Sequence, residues 1–518
     1  MTGHSVARLG YRYGPSVLCG VLAAASYPGY DVGLLAWVAL LPLLGTLQHK
    51  PRRAQFWDGW RAGFVFFLVV LPWLLTLWTW AGPFILLGYV VLCAGLGIFW
   101  GLWAVGCGRL VRLNSAWLLV VAPSLWVVLD YVRSSSALGF SWGMLGHALY
   151  RNTALLQLAA WTGAWGLSFL VVFVNAALLL SWRKRTPTFV VLATLVVVLV
   201  GVWGNEQRLQ LERASENAPQ LRVALVQPNI PQRLKNDPTQ LNALRQRYRT
   251  LLEGVERPVD AVALPESILP TLVLDDAATV SMLKDVTQRQ RASVLFGAFT
   301  RKASSVFNSA VLFDPNGQTV GQYNKVQLVP FSTEYFPLLE RLKQTGIERW
   351  LGTLPLGLLT RGARFSPLSY GQASFGTPIC FESAFGRVSR AFVRNGANVL
   401  VTITNDAWFK DSVELKQHFA MGVFRAVETG RAFLQVANSG ISGLILPGGR
   451  VALEMEPRTA QVANVSVPLL DAQTPYVVWG DWLVGLSLLL LAGVGGGFSL
   501  HNLRYNHKNR PSDIRPRA

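Results

Sequence analysis

The sequence predicts two joined units: a multi-pass α-helical membrane domain of about eight transmembrane helices, and an α/β domain placed before the last of them. Three observations carry this. Of the 518 residues, 51% are hydrophobic and 14% charged, with 19 Trp and 26 Phe, a balance unlike that of ordinary soluble chains. Through the first 204 residues, apolar stretches follow one another, each near the roughly 20 residues that cross a bilayer. From residue 205 the texture changes, with most of the acidic residues and with short apolar runs alternating with helix-like stretches. The formal net charge of +19 does not indicate a nucleic-acid partner, because the basic residues cluster beside apolar spans.

Expected spans lie near 14–29, 30–48, 60–79, 83–107, 115–132, 165–182 and 187–204, with an eighth near 477–499. The first follows Arg8 and Arg12 and contains Ala23-Ala-Ala25, so it shares features with a signal peptide, and its removal would leave the remaining topology unchanged. Lys50, Arg52 and Arg53 follow the second span, and Arg109 and Arg112 the fourth. Arg183-Lys-Arg185 follows the sixth, and Arg504, Lys508, Arg510, Arg515 and Arg517 follow the eighth. Every second connection is therefore basic, which places both termini in the cytoplasm and the long segment on the outer side. The expected domains are 1–204 with transmembrane helices one to seven, 205–476 as the extracytoplasmic domain, and 477–518 with the eighth helix and a basic cytoplasmic tail. The spans hold few charges, with Asp130 and Arg61 near their edges, so no ion pathway is expected.

Within 205–476, Leu221–Val226, Val259–Leu264, Ser293–Phe299 and Val399–Ile403 read as strands, and Pro315-Asn-Gly317 reads as a hairpin turn. The stretch Gly376-Thr-Pro-Ile-Cys-Phe-Glu382 puts Cys380 between a strand over 373–379 and a helix over 383–395. A thiol there would lie near helix N-terminal N–H groups that favour the thiolate. Cys19, Cys93 and Cys107 lie in or beside apolar spans, which leaves Cys380 as the one thiol of the outer segment, with no disulfide partner. It is either a small core residue or a nucleophile. His418, the one histidine of that segment, reads as a surface or packing position. The other source of a base is a carboxylate with a lysine: Glu266 follows Ala263-Leu-Pro265, and Lys325 lies in Tyr323-Asn-Lys-Val-Gln-Leu-Val-Pro-Phe331. On spacing alone, an ordinary salt bridge is the better account of that pair.

Leu264-Pro-Glu-Ser267, Tyr323-Asn-Lys325 and Pro378-Ile-Cys-Phe-Glu382, in this order, resemble the Glu, Lys and Cys motifs of the nitrilase superfamily. The flanking spans bring the chain closer to that superfamily's membrane branch, the apolipoprotein N-acyltransferases. So do Val223-Ala-Leu-Val-Gln-Pro-Asn-Ile-Pro-Gln232, Thr404-Asn-Asp-Ala-Trp-Phe409, Arg425-Ala-Val-Glu-Thr-Gly-Arg431, Asn438-Ser-Gly-Ile-Ser442 and Gly139-Phe-Ser-Trp142. The resemblance implies an αββα sandwich for the α/β domain, with Glu266, Lys325 and Cys380 as catalytic residues and Glu334 and Glu382 in support. Two departures stand out: Phe331-Ser-Thr-Glu334 is one residue longer than the family pattern, and Phe381 replaces a usual tyrosine.

The resemblance further implies a bacterial inner-membrane enzyme with its catalytic domain on the periplasmic side. Cys380 would take an acyl chain from a membrane phospholipid and pass it to the α-amino group of a diacylglyceryl-cysteine at an apolipoprotein N-terminus. Apolar residues including Phe331, Tyr335, Phe336, Leu338 and Leu339 form a candidate lid at the bilayer surface. The alternatives are a membrane-tethered carbon–nitrogen hydrolase and a non-catalytic membrane scaffold. Gly139-Phe-Ser-Trp-Gly143 fits the spacing of a serine-hydrolase elbow but follows a span rather than a strand. No metal cluster, Walker loop or dinucleotide fingerprint is visible, so no metal or other cofactor is expected.

Overall fold

The computed structural model describes residues 3–136, 138–336 and 359–494. Six helices build most of the N-terminal part: α1 (Gly3–Ser26), α2 (Arg52–Val70), α3 (Phe84–Arg112), α4 (Leu118–Ser134), α5 (Ala164–Lys184) and α6 (Thr188–Asn217). Among the described residues, α3, α5 and α6 are long and apolar enough to cross a membrane. The pair Arg52–Val70 and Pro72–Ala81, bent by 54°, makes a fourth if taken as one span. The bend falls at Pro72, whose ring and missing N–H interrupt the helical ladder. Gly59, Gly97 and Gly101 let α2 and α3 touch backbone to backbone: a Cβ on Gly59 would lie 2.5 Å from Trp100 O.

The stretch expected as a span over 30–48 is not one helix. It comprises a 3₁₀ turn at Gly33–Trp37, a short helix at Leu41–Thr46 and a 3₁₀ turn at Leu47–His49. Pro42 lies in the first turn of that short helix, where a proline starts a helix but does not continue one. The chain expected as the eighth span forms Pro475–Trp479, breaks at Gly480 (φ 68°) and resumes at Trp482–Val494. The basic tail lies outside the described residues. Helix α6 runs on past residue 204, since no Gly or Pro stands between Asn205 and Asn217 to end it.

The remaining chain forms two six-stranded sheets. The first, ordered β12-β1-β2-β3-β4-β5, contains β1 (Gln220–Gln227), β2 (Ala261–Ala263), β3 (Ser293–Lys302), β4 (Ser305–Phe313), β5 (Thr319–Asn324) and β12 (Gln461–Pro468). The second, ordered β11-β10-β9-β8-β7-β6, contains β6 (Leu368–Tyr370), β7 (Ala373–Gly376), β8 (Val399–Thr404), β9 (Phe433–Ala437), β10 (Gly443–Ile445) and β11 (Val451–Glu454). In each, three central parallel strands (β1-β2-β3 and β7-β8-β9) are flanked by antiparallel ones. The predicted hairpin joins β4 to β5: Asp314 Oδ1 accepts from Asn316 N and Gln318 N, and Gly317 adopts φ 75°.

Period-two alternation builds the layers. Ala224, Val226, Val262, Val294 and Phe296 pack with Leu244, Tyr248, Leu252, Met282 and Leu283 of two helices outside the first sheet, Leu241–Glu253 and Ala277–Gln290. Their neighbours Val223, Leu225, Ala261, Ala263 and Leu295 join the core that contains Phe375, Val399 and Val401. Both faces of the central strands are covered, which is why they read as continuous apolar runs. On the second sheet lie Gly386–Arg394 and the helix Glu414–Thr429, every residue of which except Lys416 is buried. That second helix is enclosed on all sides because it also meets the N-terminal helices. Gln417 Nε2 donates to Val70 O (3.0 Å), and its Oε1 accepts from Trp73 Nε1 (3.1 Å). Glu428 Oε1 accepts from Ala164 N at the start of α5 (2.9 Å).

Candidate active site

Glu266 sits just after β2, 6% exposed. The backbone there passes so close to β3 that a Cβ on Gly297 would lie 2.5 Å from Glu266 Cα. Two hydrogen bonds fix the approach, Gly297 N to Pro265 O and Ile268 N to Gly297 O. Lys325, at the end of β5, is 1% exposed, and its backbone N donates to Asn308 O on β4. Its Nζ donates to Glu334 Oε1 (2.7 Å) and lies 3.5 Å from Glu266 Oε1. Asn308 Nδ2 bridges the same carboxylates, donating to Glu266 Oε1 (2.7 Å) and Glu334 Oε1 (3.1 Å). Burial works against the Lys325 charge, but Glu334, Glu266 and Cys380 outweigh it and hold the pKa above that of an ordinary lysine. The structure thus brings Glu266, Lys325 and Glu334 together around Asn308, a residue not singled out from the sequence.

Cys380 is half-buried and opens a 3₁₀ turn, Cys380–Ala384, with φ 50°. The turn departs from the expected strand-to-helix junction: β7 ends at Gly376 and the helix begins only at Gly386. The thiol also differs from expectation. Burial raises its pKa well above the ordinary value, the charge of Glu266 adds to the effect, and Lys325 only partly offsets it. Its surroundings thus disfavour a preformed thiolate.

Glu382 faces away from the other carboxylates and acts as a clamp. Its Oε1 accepts from Val326 N and Gln327 N (both 2.8 Å), its Oε2 from Ile379 N (2.9 Å), and Tyr323 Oη lies 2.9 Å from both oxygens. It therefore ties the residues after Lys325 to the residue before Cys380. Burial raises its pKa, with the backbone N–H groups and Lys325 opposing.

His418 is not a surface residue. It lies buried on the helix Glu414–Thr429, with Nε2 2.7 Å from Ser383 Oγ and 3.2 Å from Cys380 O, and Nδ1 3.2 Å from Asp406 Oδ1. Asp406, Glu414 and His418 form the one cluster of metal-ligating residue types among the described residues. The imidazole nitrogen facing the carboxylates is within hydrogen-bond distance of Asp406, so a proton accounts for the contact. Lys235, also missed in the sequence, is 3% exposed and donates to Glu266 O (2.9 Å), and burial lowers its pKa to about 8 against the pull of Glu266 and Cys380.

The N-terminal helices reach the site through Trp142. Its ring stacks on that of Phe381, centroids 5.8 Å apart and planes within 9°, and Arg133 holds the segment by donating to Phe140 O and Trp142 O. Of the candidate lid, Phe331 is 64% exposed with φ 56°, Phe336 packs edge-on against it, and Tyr335 lies under Arg361. Leu338 and Leu339 lie outside the described residues. The chain returns beside the lysine, with Leu359 N bonded to Glu334 O and Gly362 N to Lys325 O.

Two family models match the chain: the apolipoprotein N-acyltransferase N-terminal domain over residues 19–177 and the carbon-nitrogen hydrolase over 222–474. The chain is similar to the apolipoprotein N-acyltransferase of Geobacter metallireducens, 32% identical over 90% of this chain and 91% of that one. It is similar as well to that of Gloeobacter violaceus, 32% identical over 92% and 94%. A carbon-nitrogen hydrolase structure from Helicobacter pylori overlaps 51% of this chain and 94% of its own at 14% identity, with a TM-score of 0.39.

Proposed function

The chain belongs to the apolipoprotein N-acyltransferase family, and from that premise we propose that it N-acylates bacterial lipoproteins through a thioester on Cys380. The observation that carries this reading is a buried carboxylate and lysine pair, Glu266 and Lys325, whose geometry is fixed by Asn308 and Glu334 and which Glu382 ties to the residue before Cys380. Glu266 takes the thiol proton as Cys380 Sγ attacks the ester carbonyl of a membrane phospholipid. Lys325 and a backbone N–H beside Cys380 stabilise the oxyanion. The glycerol oxygen leaves with the proton held on Glu266, giving a lysophospholipid and the acyl-enzyme. In the second half, the α-amine of a diacylglyceryl-cysteine attacks the thioester, its proton passes to Glu266, and the departing thiolate recovers that proton. Glu334 keeps Lys325 protonated, and Glu382 keeps the two loops in register.

The proposed membrane arrangement has eight spans, with both termini in the cytoplasm and residues 205–476 on the periplasmic side of the inner membrane. A lipid substrate is supported by the site's abutting the helices through Trp142 and Gln417. Phe331, Tyr335 and Phe336 form the wall nearest the acyl donor.

Intact mass tests the reading. Incubated with phospholipid and no acceptor, the wild-type protein gains one acyl chain that hydroxylamine removes, and a diacylglyceryl peptide with a free α-amine then takes the chain. Cys380→Ala gains nothing, and Glu266→Gln acylates on the order of 100-fold more slowly. An adduct that persists in Cys380→Ala overturns the nucleophile. One that forms on Cys380 and discharges only to water makes the chain a hydrolase.

A further inference from the structure

The mechanism leaves one buried group unused. His418, Asp406 and Ser383 lie behind Cys380, and their contacts converge on its carbonyl oxygen: Ser383 Oγ donates to it at 2.8 Å and His418 Nε2 lies 3.2 Å away. Nε2 also lies 2.7 Å from Ser383 Oγ, so the ring, the hydroxyl and the carbonyl oxygen form one hydrogen-bonded set. On the ring's other side, Nδ1 faces Asp406 Oδ1 at 3.2 Å and Glu414 Oε1 at 3.7 Å. An N–H on Nδ1 is what those oxygens favour, which fixes the orientation of the ring. Burial opposes the charge, but Asp406, Glu414 and the Cys380 carbonyl outweigh it and raise the pKa to about 9.

The other end of the same peptide unit is N–H of Phe381. A trans peptide points C=O and N–H in opposite directions, so what pins the oxygen aims the N–H. Phe381 N–H donates to no acceptor among the described residues. Cys380 holds φ 50°, a conformation that a residue with a side chain keeps only where its surroundings enforce it, and the Phe381 ring is fixed by its stack on Trp142.

We propose that His418, oriented by Asp406 and joined by Ser383, is a positioning residue that locks the Cys380–Phe381 peptide so that Phe381 N–H is presented to the oxyanion. The inference rests on the reading of Cys380 as the nucleophile.

Two substitutions of similar polarity separate this role from simple packing. In His418→Gln the side-chain amide reaches the Nε2 position and keeps a donor on Cys380 O. In His418→Asn the amide reaches only the Nδ1 position, facing Asp406. Full-length protein in detergent micelles is given phosphatidylethanolamine, and acyl-enzyme formation is timed by intact mass. Iodoacetamide alkylation of Cys380, which needs no oxyanion donor, is followed against pH on the same samples. His418→Asn is expected to acylate roughly 10- to 100-fold more slowly than wild type, with its alkylation profile unchanged and His418→Gln recovering most of the loss. Ser383→Ala, which removes the second bond to the oxygen, falls between them, and decides the matter if His418→Asn does not fold. Wild-type acylation rates in His418→Asn or Ser383→Ala overturn the proposal. So does a shifted alkylation profile, which would make His418 an activator of the thiol. Acylation of Cys380→Ala is a separate outcome, which removes the nucleophile itself.

Discussion

Glu334 shows how a single residue is accommodated. Before it Phe331, 64% exposed, turns outward with φ 56°, and Ser332 closes the turn by donating to Val329 O and accepting from Glu334 N. The carboxylate therefore still reaches Lys325 at 2.7 Å. Glu334→Gln is expected to slow acyl-enzyme formation roughly 10- to 100-fold with an unchanged melting curve, because Lys325 loses its nearest counter-charge. Wild-type rates would remove Glu334 from the mechanism. Glu266, Lys325, Glu334 and Cys380 were legible because each sits in a short contiguous motif. Asn308 was not, being one residue of a strand, although a polar side chain inside Val306-Phe-Asn-Ser-Ala-Val-Leu312 was a signal that a buried partner awaited it. Of the two readings of His418, surface or packing, the structure bears out packing, and local sequence could not choose between them because it does not reveal that both faces of its helix are covered.

Elements place those residues by close approach as much as by periodicity. The strand runs and the hairpin were readable from alternation and turn chemistry, whereas the turn at Cys380 was not. A helix-like apolar pattern over 383–395 conceals that Cys380–Ala384 is 3₁₀, a distinction set by the bonds of Glu382 to Val326, Gln327 and Ile379. Likewise, the apolar content of 30–48 is that of a span, but Pro42 divides it. Gly297 is the clearest dependence of the site on an element. Gly297→Ala drives a methyl group into the backbone of Glu266, which is expected to slow acylation about 100-fold and to cost about 1–3 kcal/mol of stability from overpacking. Acylation timed by intact mass and a thermal melt in detergent measure the two effects. Full activity would show that Glu266 tolerates displacement.

For the whole molecule, orientation is the prediction that matters. A phosphatase reporter active only outside the cytoplasm should be active when fused near Gln207 and silent near Lys184, since Arg183-Lys-Arg185 marks an inner connection. The reverse pattern would put the proposed site in the wrong compartment for a lipoprotein N-terminus. The helix Glu414–Thr429 gives this orientation a further meaning. It belongs at once to the catalytic sheet and to the helical bundle, bonded to Val70, Trp73 and Ala164 on one side and to the turn of Cys380 on the other. Among the described residues no flexible tether separates the site from the bundle, so under the proposed function the fold itself sets the height of the thiol above the bilayer midplane. The protein would then act as a depth gauge: an ester at the glycerol level of a lipid would meet Cys380 without either partner leaving its plane, whereas the same ester in a freely diffusing molecule would have to find that level by chance.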